Sequence, residues 1–315
     1  MKGVQKMNKK MLLPYLAAIL NASIVGLTFL FTKLALEDAS PSDTLSYRFT
    51  LGFIVLILIK IIFKVKLPAI KSKKALGYLL LLALFYPTMF FSFQAFGLLY
   101  TTSAEGGILM AFAPILTALL AALFLKERTN LVQVLFIFMS IAGVVSIFFM
   151  KGASIQTGSY LGYLLLFIAC LSIAGYTVLA RFLSVSYSPL QLSFIMVTFG
   201  FVFFNAYAII QHAAAGDLMT YTSLWTNVPF LLYTCFLGVF ATLLTSFLSN
   251  YILSKLPASQ MSVFANLSTV ISIAAGAIVL NETIYLYHWI GAFLIIAGVI
   301  GTNATKKTGS KSRSL

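Results

Sequence analysis

Residues 103–146 read SAEGGILMAFAPILTALLAALFLKERTNLVQVLFIFMSIAGVVS, which is two apolar runs joined by a short charged turn. The same pattern recurs 155 residues later, over 258–301, with nine identities in 44 aligned positions. Glu127 falls on Glu282, and the tetrapeptide IAGV recurs in register. The chain has only seven acidic residues in 315, so two of them are unlikely to align at the same position of the repeated pattern by chance. The sequence therefore predicts a duplicated chain.

The beginnings of the two halves match as well, at an offset of 148 residues. The segment 26–33, followed by Ser40-Pro41, aligns with 174–181, followed by Ser188-Pro189. Five membrane spans in each copy would make the second copy enter the membrane from the opposite side. Inverted repeats of this kind are a recurring plan of secondary transporters, because two similar halves that exchange conformations open one site to alternate sides.

The composition places this chain in a lipid bilayer. Hydrophobic residues make up 61% of it and charged residues 9%, against about 45–50% and about 25% in soluble domains. The two cysteines, Cys170 and Cys235, lie inside apolar runs, without metal-ligand spacing or a disulfide pattern. We therefore expect an all-α membrane protein with no cofactor and no metal.

Apolar runs of about 20 residues can cross the hydrocarbon core of a bilayer as helices. Ten such runs occur, and they predict ten transmembrane helices, arranged as two inverted five-helix repeats. They lie near 12–33, 44–63, 75–99, 105–125, 130–150, 159–181, 190–211, 227–252, 258–280 and 285–303.

These runs divide the chain into four parts. Residues 1–11 are predicted to be a cytoplasmic N-terminus, 12–151 the first five-helix repeat, 158–303 the second five-helix repeat, and 304–315 a basic cytoplasmic tail.

The distribution of Lys and Arg predicts the orientation. With the N-terminus in the cytoplasm, 18 basic residues fall on that side and only Lys33 and Lys151 on the other. The positive-inside rule then places both termini in the cytoplasm of a multi-pass protein of the cell (plasma) membrane. The basic loop 64–74 is explained by this topology and by contact with anionic lipid, so no nucleic-acid partner is expected.

Several short motifs occur in a fixed order along the chain. They are GLTFLFTK at 26–33 ahead of Ser40-Pro41, Tyr47-Arg48-Phe49, Thr102-Ser103-Ala104, Ala113-Pro114, Leu125-Lys126-Glu127-Arg128 and Leu280-Asn281-Glu282-Thr283.

With the five-plus-five arrangement of spans, this order resembles the drug/metabolite transporter superfamily, EamA-type, over essentially 12–303. The resemblance implies exporters and importers of small metabolites, including amino acids and related compounds, with a central cavity between the two halves. The preference for export also comes from the resemblance, and the residues themselves leave the substrate and the direction of transport open.

Ionisable groups inside a membrane are costly, which makes each of them a candidate functional residue. Glu105, at the outer end of the fourth span, is a candidate for binding a cationic substrate group or a proton, although the helix dipole also favours an acid there. Arg48 lies about one turn inside the second span, and with Lys33 it is a candidate for an outer ion-pair cluster with Glu105. The alternative is that both basic side chains extend to the interface without pairing.

Polar side chains near the middle of spans are the other candidates for substrate binding. The first, third, sixth and ninth spans would converge on a central site in this family, and transporters with inverted repeats bind near the midplane. The alternative for each polar group is a hydrogen bond between helices. The candidates are Asn21, Tyr86, Gln94, Tyr176 and Asn266.

These observations predict a secondary transporter of a small metabolite, working by alternating access around a central cavity. A lipid scramblase or passive channel is an alternative, although the polar groups are too sparse for a continuous pore. An intramembrane enzyme is less favoured, because convergent titratable groups are lacking. Expected partners are a small-molecule substrate, protons if transport is proton-coupled, and the lipid bilayer. A homodimer remains open, since small-residue seams such as Ala142-x-x-x-Ser146 suit helix packing within or between chains.

Overall fold

The computed structural model describes residues 9–64, 72–100, 109–127, 129–150, 160–279 and 284–304. The regular elements in these ranges are all helices. Eight helical segments within them are long and apolar enough to cross a membrane, as expected for a multi-pass membrane protein.

The helical segments follow the predicted order, and we number them α1 to α10. Within the described residues, the expected fourth and fifth spans correspond to the apolar helices Ala113–Phe124 and Leu131–Met150. The segments are α1 Lys9–Ala35, α2 Pro41–Ile62, α3 73–99, α4 Ala113–Phe124, α5 Leu131–Met150, α6 Tyr160–Leu183, α7 Pro189–Ala215, α8 Val228–Lys255, α9 258–279 and α10 Leu286–Ala304, with a short helix Leu218–Ser223 between α7 and α8.

Equivalent helices of the two halves begin with similar local chemistry. Ser40 and Ser188, 148 residues apart, are the N-caps of α2 and α7, and each is followed by a proline at the first helical position. A proline suits this position because its missing N–H has no helical partner there. Ser72 and Asn227, 155 residues apart, cap α3 and α8 by accepting a backbone N–H bond.

The same two helices, α3 and α8, are interrupted in their middle. A π-helical turn, Leu84–Met89, divides α3, and another, Phe236–Leu244, divides α8. Within the first turn Tyr86 has extended backbone angles, φ −145° and ψ 119°. Such turns shift the hydrogen-bond pattern of a helix and occur frequently at functional sites.

Several packing contacts of α1–α5 correspond to those of α6–α10. In each of these cases, a contact between two helices has a counterpart between the helices whose numbers differ from theirs by five. Helix α1 packs on α9 and α8, while α6 packs on α4 and α3. Helix α2 packs on α8, while α7 packs on α3. Three pairs, α2 with α7, α4 with α9 and α5 with α10, are their own equivalents.

Helices α5 and α10 run antiparallel along a seam of small residues. A Cβ atom built on Gly143 would lie 2.7 Å from the Gly291 carbonyl oxygen, and one on Gly298 would lie 2.7 Å from that of Phe136. At the far end of the seam, the Gln133 side chain donates to the Thr302 carbonyl at 3.3 Å. Residues near the end of α5 thus contact the start of α10, and residues near the start of α5 contact the end of α10.

Helices α2 and α7 also run antiparallel, and aromatic rings line their contact. Phe53 and Phe201, which are 148 residues apart, stack on each other with ring centroids 4.4 Å apart and an angle of 7° between planes. Phe49 stacks on Phe204 one turn away, at 5.0 Å. The offset between these two stacked rings is the same as that between the capping residues Ser40 and Ser188.

Candidate functional site

Arg48 is buried between α2 and α8, with 5% of its surface exposed. Its Nε–H donates to the Thr242 hydroxyl at 2.5 Å, and an Nη2–H donates to the Ala241 carbonyl at 2.8 Å. The Thr242 hydroxyl in turn donates to the Leu237 carbonyl, five residues earlier in the π-helical turn of α8. The interrupted helix thus supplies both acceptors that hold one edge of the guanidinium.

Two glycines bring the backbones of α2 and α8 together beside Arg48. A Cβ atom on Gly238 would lie 2.4 Å from the Arg48 carbonyl oxygen, and one on Gly52 would lie 2.8 Å from the Gly238 carbonyl oxygen. Side chains at either position would push the helices apart, since real Cβ contacts are longer than these. The close approach is what lets the Arg48 side chain reach the carbonyl of Ala241.

Aromatic rings of α3 surround the other side of the guanidinium. The Arg48 guanidinium carbon lies 4.8 Å from the centroid of the Phe91 ring, in cation–π geometry. Tyr86 lies near Arg48, and its ring centroid is 5.4 Å from that of Phe91. The extended backbone at Tyr86 places this side chain at the break of α3, next to the buried charge.

Tyr86 connects Arg48 to the second half of the chain through Tyr176 on α6. The two rings stack with centroids 4.9 Å apart. Tyr176 is 3% exposed, and its buried hydroxyl oxygen has no hydrogen-bond partner among the described residues. The Ser249 hydroxyl on α8 lies close by, outside standard hydrogen-bond geometry. Ser249 also donates to the Asn21 side-chain oxygen on α1, at 3.5 Å.

Arg48, Tyr86, Tyr176, Ser249 and Asn21 therefore form a continuous set, which we call the central polar chain. It joins α1, α2 and α3 of the first half to α6 and α8 of the second. The set offers one cation, two phenols, a hydroxyl and an amide, which can bind polar groups of a ligand. Among the described residues, no group of three or more His, Cys, Asp or Glu is arranged to hold a metal ion.

Comparison with known families shows where the chain belongs. The sequence model of the EamA-like transporter family matches it twice, over residues 12–149 and 160–304. The chain belongs to the EamA-like transporter family. The two matches cover the two halves separately, and this confirms the family resemblance drawn from the motifs.

Named relatives of this EamA-like chain are bacterial and archaeal transporters. It is 45% identical over 296 residues to "Uncharacterized transporter YcxC" of Bacillus subtilis (strain 168), covering 93% of this chain and 94% of that protein. It is 28% identical to "Uncharacterized transporter YetK" of the same organism, covering 95% and 89%. An "Uncharacterized transporter" of Archaeoglobus fulgidus is 27% identical, covering 90% and 96%.

A solved crystal structure is similar to this EamA-like fold. Its TM-score with this chain is 0.75 at 18% sequence identity, and the match covers 93% of this chain and 96% of the other. At this identity the similarity shows the fold alone.

The other predicted site residues of the EamA-like chain lie apart from the central polar chain. Asn266 is buried and donates to the Ser140 hydroxyl on α5 at 3.0 Å, a contact between helices. Gln94, on α3, is partly buried and has no side-chain hydrogen bond to any described residue. Glu105 lies outside the described residues, as does the side chain of Lys33. The described partners of Arg48 are all on α3 and α8, so its predicted pairing with Glu105 stays untested.

Sequence reasoning missed two members of the site, Thr242 and Ser249. Short hydroxyl residues are common in membrane helices, where they bond the backbone of their own helix, and so neither stands out by type. For Ser249 the repeat offset offered a signal, because the 155-residue shift takes the candidate Gln94 onto it, whereas Thr242 falls on Pro87.

A second polar cluster, which the sequence did not reveal, joins the ends of α2 and α7. His212 contacts Asp43 with Nε2 and Asp217 with Nδ1, each at 2.8 Å. Ser40 donates to the other Asp43 oxygen at 2.7 Å. The cluster links the start of α2 to the short connection after α7, and Asp43 and His212 are mostly buried.

A cleft of about 650 Å³ lies between α4 and α5. Its lining is mostly apolar, and it includes Lys126 and Glu127 at one end. It shares no lining residue with the central polar chain, so the cleft is separate from the candidate site.

Proposed function

We propose that this EamA-like protein is a secondary transporter that moves a small metabolite by alternating access. One observation carries the proposal: the two halves, each matched by the family, both contribute side chains to the central polar chain. A ligand held there would contact both halves at once. A relative movement of the halves would then expose it to one side or the other.

The topology that we propose has ten crossings in two inverted repeats, 12–151 and 158–303, with both termini in the cytoplasm. Two observations support the inversion. The equivalent helices α5 and α10 run antiparallel, and so do α2 and α7. The excess of basic residues on one side supports cytoplasmic termini in the plasma membrane.

The first test is transport by purified protein in lipid vesicles. Single radiolabelled metabolites are added outside the vesicles, beginning with amino acids and simple carboxylic acids, and their uptake is compared with that of protein-free vesicles. A carrier should show saturation, and unlabelled compound inside should accelerate entry of label, because both require a site exposed alternately. Linear flux without acceleration would instead indicate a channel, and transfer of labelled lipid between leaflets would indicate a scramblase.

Export as the direction of transport follows from the family resemblance and needs a test in cells. Cells that overproduce the protein are preloaded with a compound identified in vesicles, and its release is measured. Faster release than from cells without the protein is the expected result. Faster uptake with no change in release would overturn the export direction while leaving transport itself intact.

Proton coupling through Glu105 is tested by charge removal. If Glu105 takes up the coupled proton, Glu105→Gln should flatten the pH profile of transport in vesicles. Glu37→Gln is a matched control, because Glu37 is an exposed acid in the turn after α1. A profile that stays the same in Glu105→Gln would remove this residue from coupling.

A further inference from the structure

Arg48 is a buried positive charge that no acidic side chain neutralises within the described residues. Asp43 and Asp217 both contact His212, Glu127 contacts Arg181, and Glu37 and Asp38 are exposed in the turn after α1. A buried charge without a partner is costly, and inside a membrane such groups mark substrate pathways.

The guanidinium of Arg48 is also only partly hydrogen-bonded. Arginine has five N–H donors, and α8 accepts from two of them. The three others, two on Nη1 and one on Nη2, have no hydrogen-bond acceptor among the described residues. One N–H of Nη1 and one of Nη2 form the end-on edge of the guanidinium, and this edge can bind a carboxylate in a two-point fashion.

The surroundings limit the kind of anion that fits. Phe91 and Tyr86 flank the guanidinium, and Tyr176 stacks on Tyr86 with its hydroxyl unpaired. One arginine neutralises one negative charge. A doubly charged phosphate would keep an excess charge in an apolar site, because the described part of the central polar chain holds no second cation.

We infer that Arg48 binds the carboxylate of a substrate that carries a single negative group, with the rest of the molecule against the Tyr86–Tyr176 pair. The inference rests on the proposed transport function, and it narrows the substrates to small carboxylates, amino acids included. The Tyr176 hydroxyl supplies a further donor to the same ligand. Thr242 and Ala241 position Arg48, because they accept hydrogen bonds from its Nε–H and Nη2–H groups.

The test compares molecules that have the same carbon skeleton and differ only in whether they carry a carboxylate, an amide or an amine. Phenylacetate, phenylacetamide and phenethylamine form one set, and phenylalanine and phenylalaninamide form another. In vesicles, the acids should compete with transported label at least about tenfold better than the amides, because a charged hydrogen bond is lost in each amide. In Arg48→Gln, the ratio of competition by the acid to competition by its amide should fall to about one. Lys60→Gln, which removes a cation from the other end of α2, should keep the ratio.

A binding measurement separates the two proposals. Thermal unfolding of the purified protein in detergent should shift upward with the acids and not with the amides, whether or not transport occurs. An acid-specific shift without transport of any compound would overturn the transport function and support the Arg48 site. Transport without preference for acids, or a preference that Arg48→Gln retains, would overturn the Arg48 site alone. If Arg48→Gln does not fold, equal competition by acid and amide in the wild type overturns the inference.

Discussion

Tyr176 and Tyr47 are both buried, but only the hydroxyl of Tyr47 makes a hydrogen bond to a described residue. Its hydroxyl is enclosed without a hydrogen-bond partner among the described residues, whereas the Tyr47 hydroxyl donates to the Tyr221 carbonyl at 2.7 Å. Both tyrosines are almost fully buried. An unpaired buried polar group costs stability, so the protein retains a feature at Tyr176 that folding alone does not favour.

Replacing each tyrosine by phenylalanine should separate these roles. We expect Tyr176→Phe to leave the melting temperature in detergent unchanged or raised, because it removes an unpaired hydroxyl, and to weaken competition by carboxylates in vesicles. The matched variant Tyr47→Phe should lower stability by about 1 kcal/mol, because it loses a hydrogen bond that is made. A Tyr176→Phe protein that is destabilised and yet binds normally would contradict the role of this hydroxyl.

Four residues of the central polar chain could be selected from the sequence, for a physical reason. Asn21, Arg48, Tyr86 and Tyr176 stand out because polar groups in apolar helices are rare, and the structure brings these four together. The two-point hold on Arg48 was beyond prediction from the sequence. These hydrogen bonds depend on a π-helical turn in α8, in which Thr242 donates to the Leu237 carbonyl. The pattern of hydrophobic residues does not predict such a turn.

At the scale of elements, Glu127 ties three helices together at one end of the bundle. Its Oε2 accepts from the Ala258 backbone N–H at 3.1 Å, and its Oε1 lies 3.6 Å from Arg181 Nε. Arg181 donates to the Leu253 carbonyl at 2.6 Å. The N–H that Glu127 caps belongs to α9 and not to the helix that follows Glu127 in the chain. A capping box of Asn130 and Gln133 starts the helix that follows Glu127.

Removing this carboxylate should loosen the link between the halves. We expect Glu127→Ala to lower stability by about 1–2 kcal/mol, as loss of a helix cap does. Glu127→Gln should cost less, because the amide oxygen can still accept from the Ala258 N–H. Thermal unfolding in detergent measures both, and equal losses would show that charge, rather than capping, is what matters.

The seam between α5 and α10 allows a test of the repeat itself. Gly143 and Gly298 are 155 residues apart and have the same surroundings, because a Cβ atom on either would lie 2.7 Å from a carbonyl oxygen of the facing helix. We expect Gly143→Ala and Gly298→Ala to cost similar amounts, about 1–3 kcal/mol, from overpacking. Gly77→Ala is the control, since nothing lies within 4 Å of its Cβ position, and it should be neutral or stabilising. Strongly unequal losses would argue against equivalent environments.

At the scale of the whole molecule, the fold could be predicted from the sequence better than the lengths of its helices. An all-helical multi-pass fold and the order of its helices follow from apolar runs, which any helical chain in a bilayer must display. The seventh span, expected over 190–211, is the helix Pro189–Ala215. Apolar composition alone does not reveal where such a helix ends, because a helix can continue into the polar residues beyond the apolar run.

The proposed opposite orientation of the two halves would allow a single site to open to both sides, so it is the property to test directly. Lys73 and Val228, 155 residues apart, are exposed residues at the starts of α3 and α8. With Cys170 and Cys235 replaced by alanine, we expect a membrane-impermeant maleimide to label Val228→Cys in intact cells. Lys73→Cys should react only after the membrane is permeabilised. Labelling of both positions from the same side would mean that the halves are parallel, and a site exposed alternately by exchange of two inverted repeats would then be impossible.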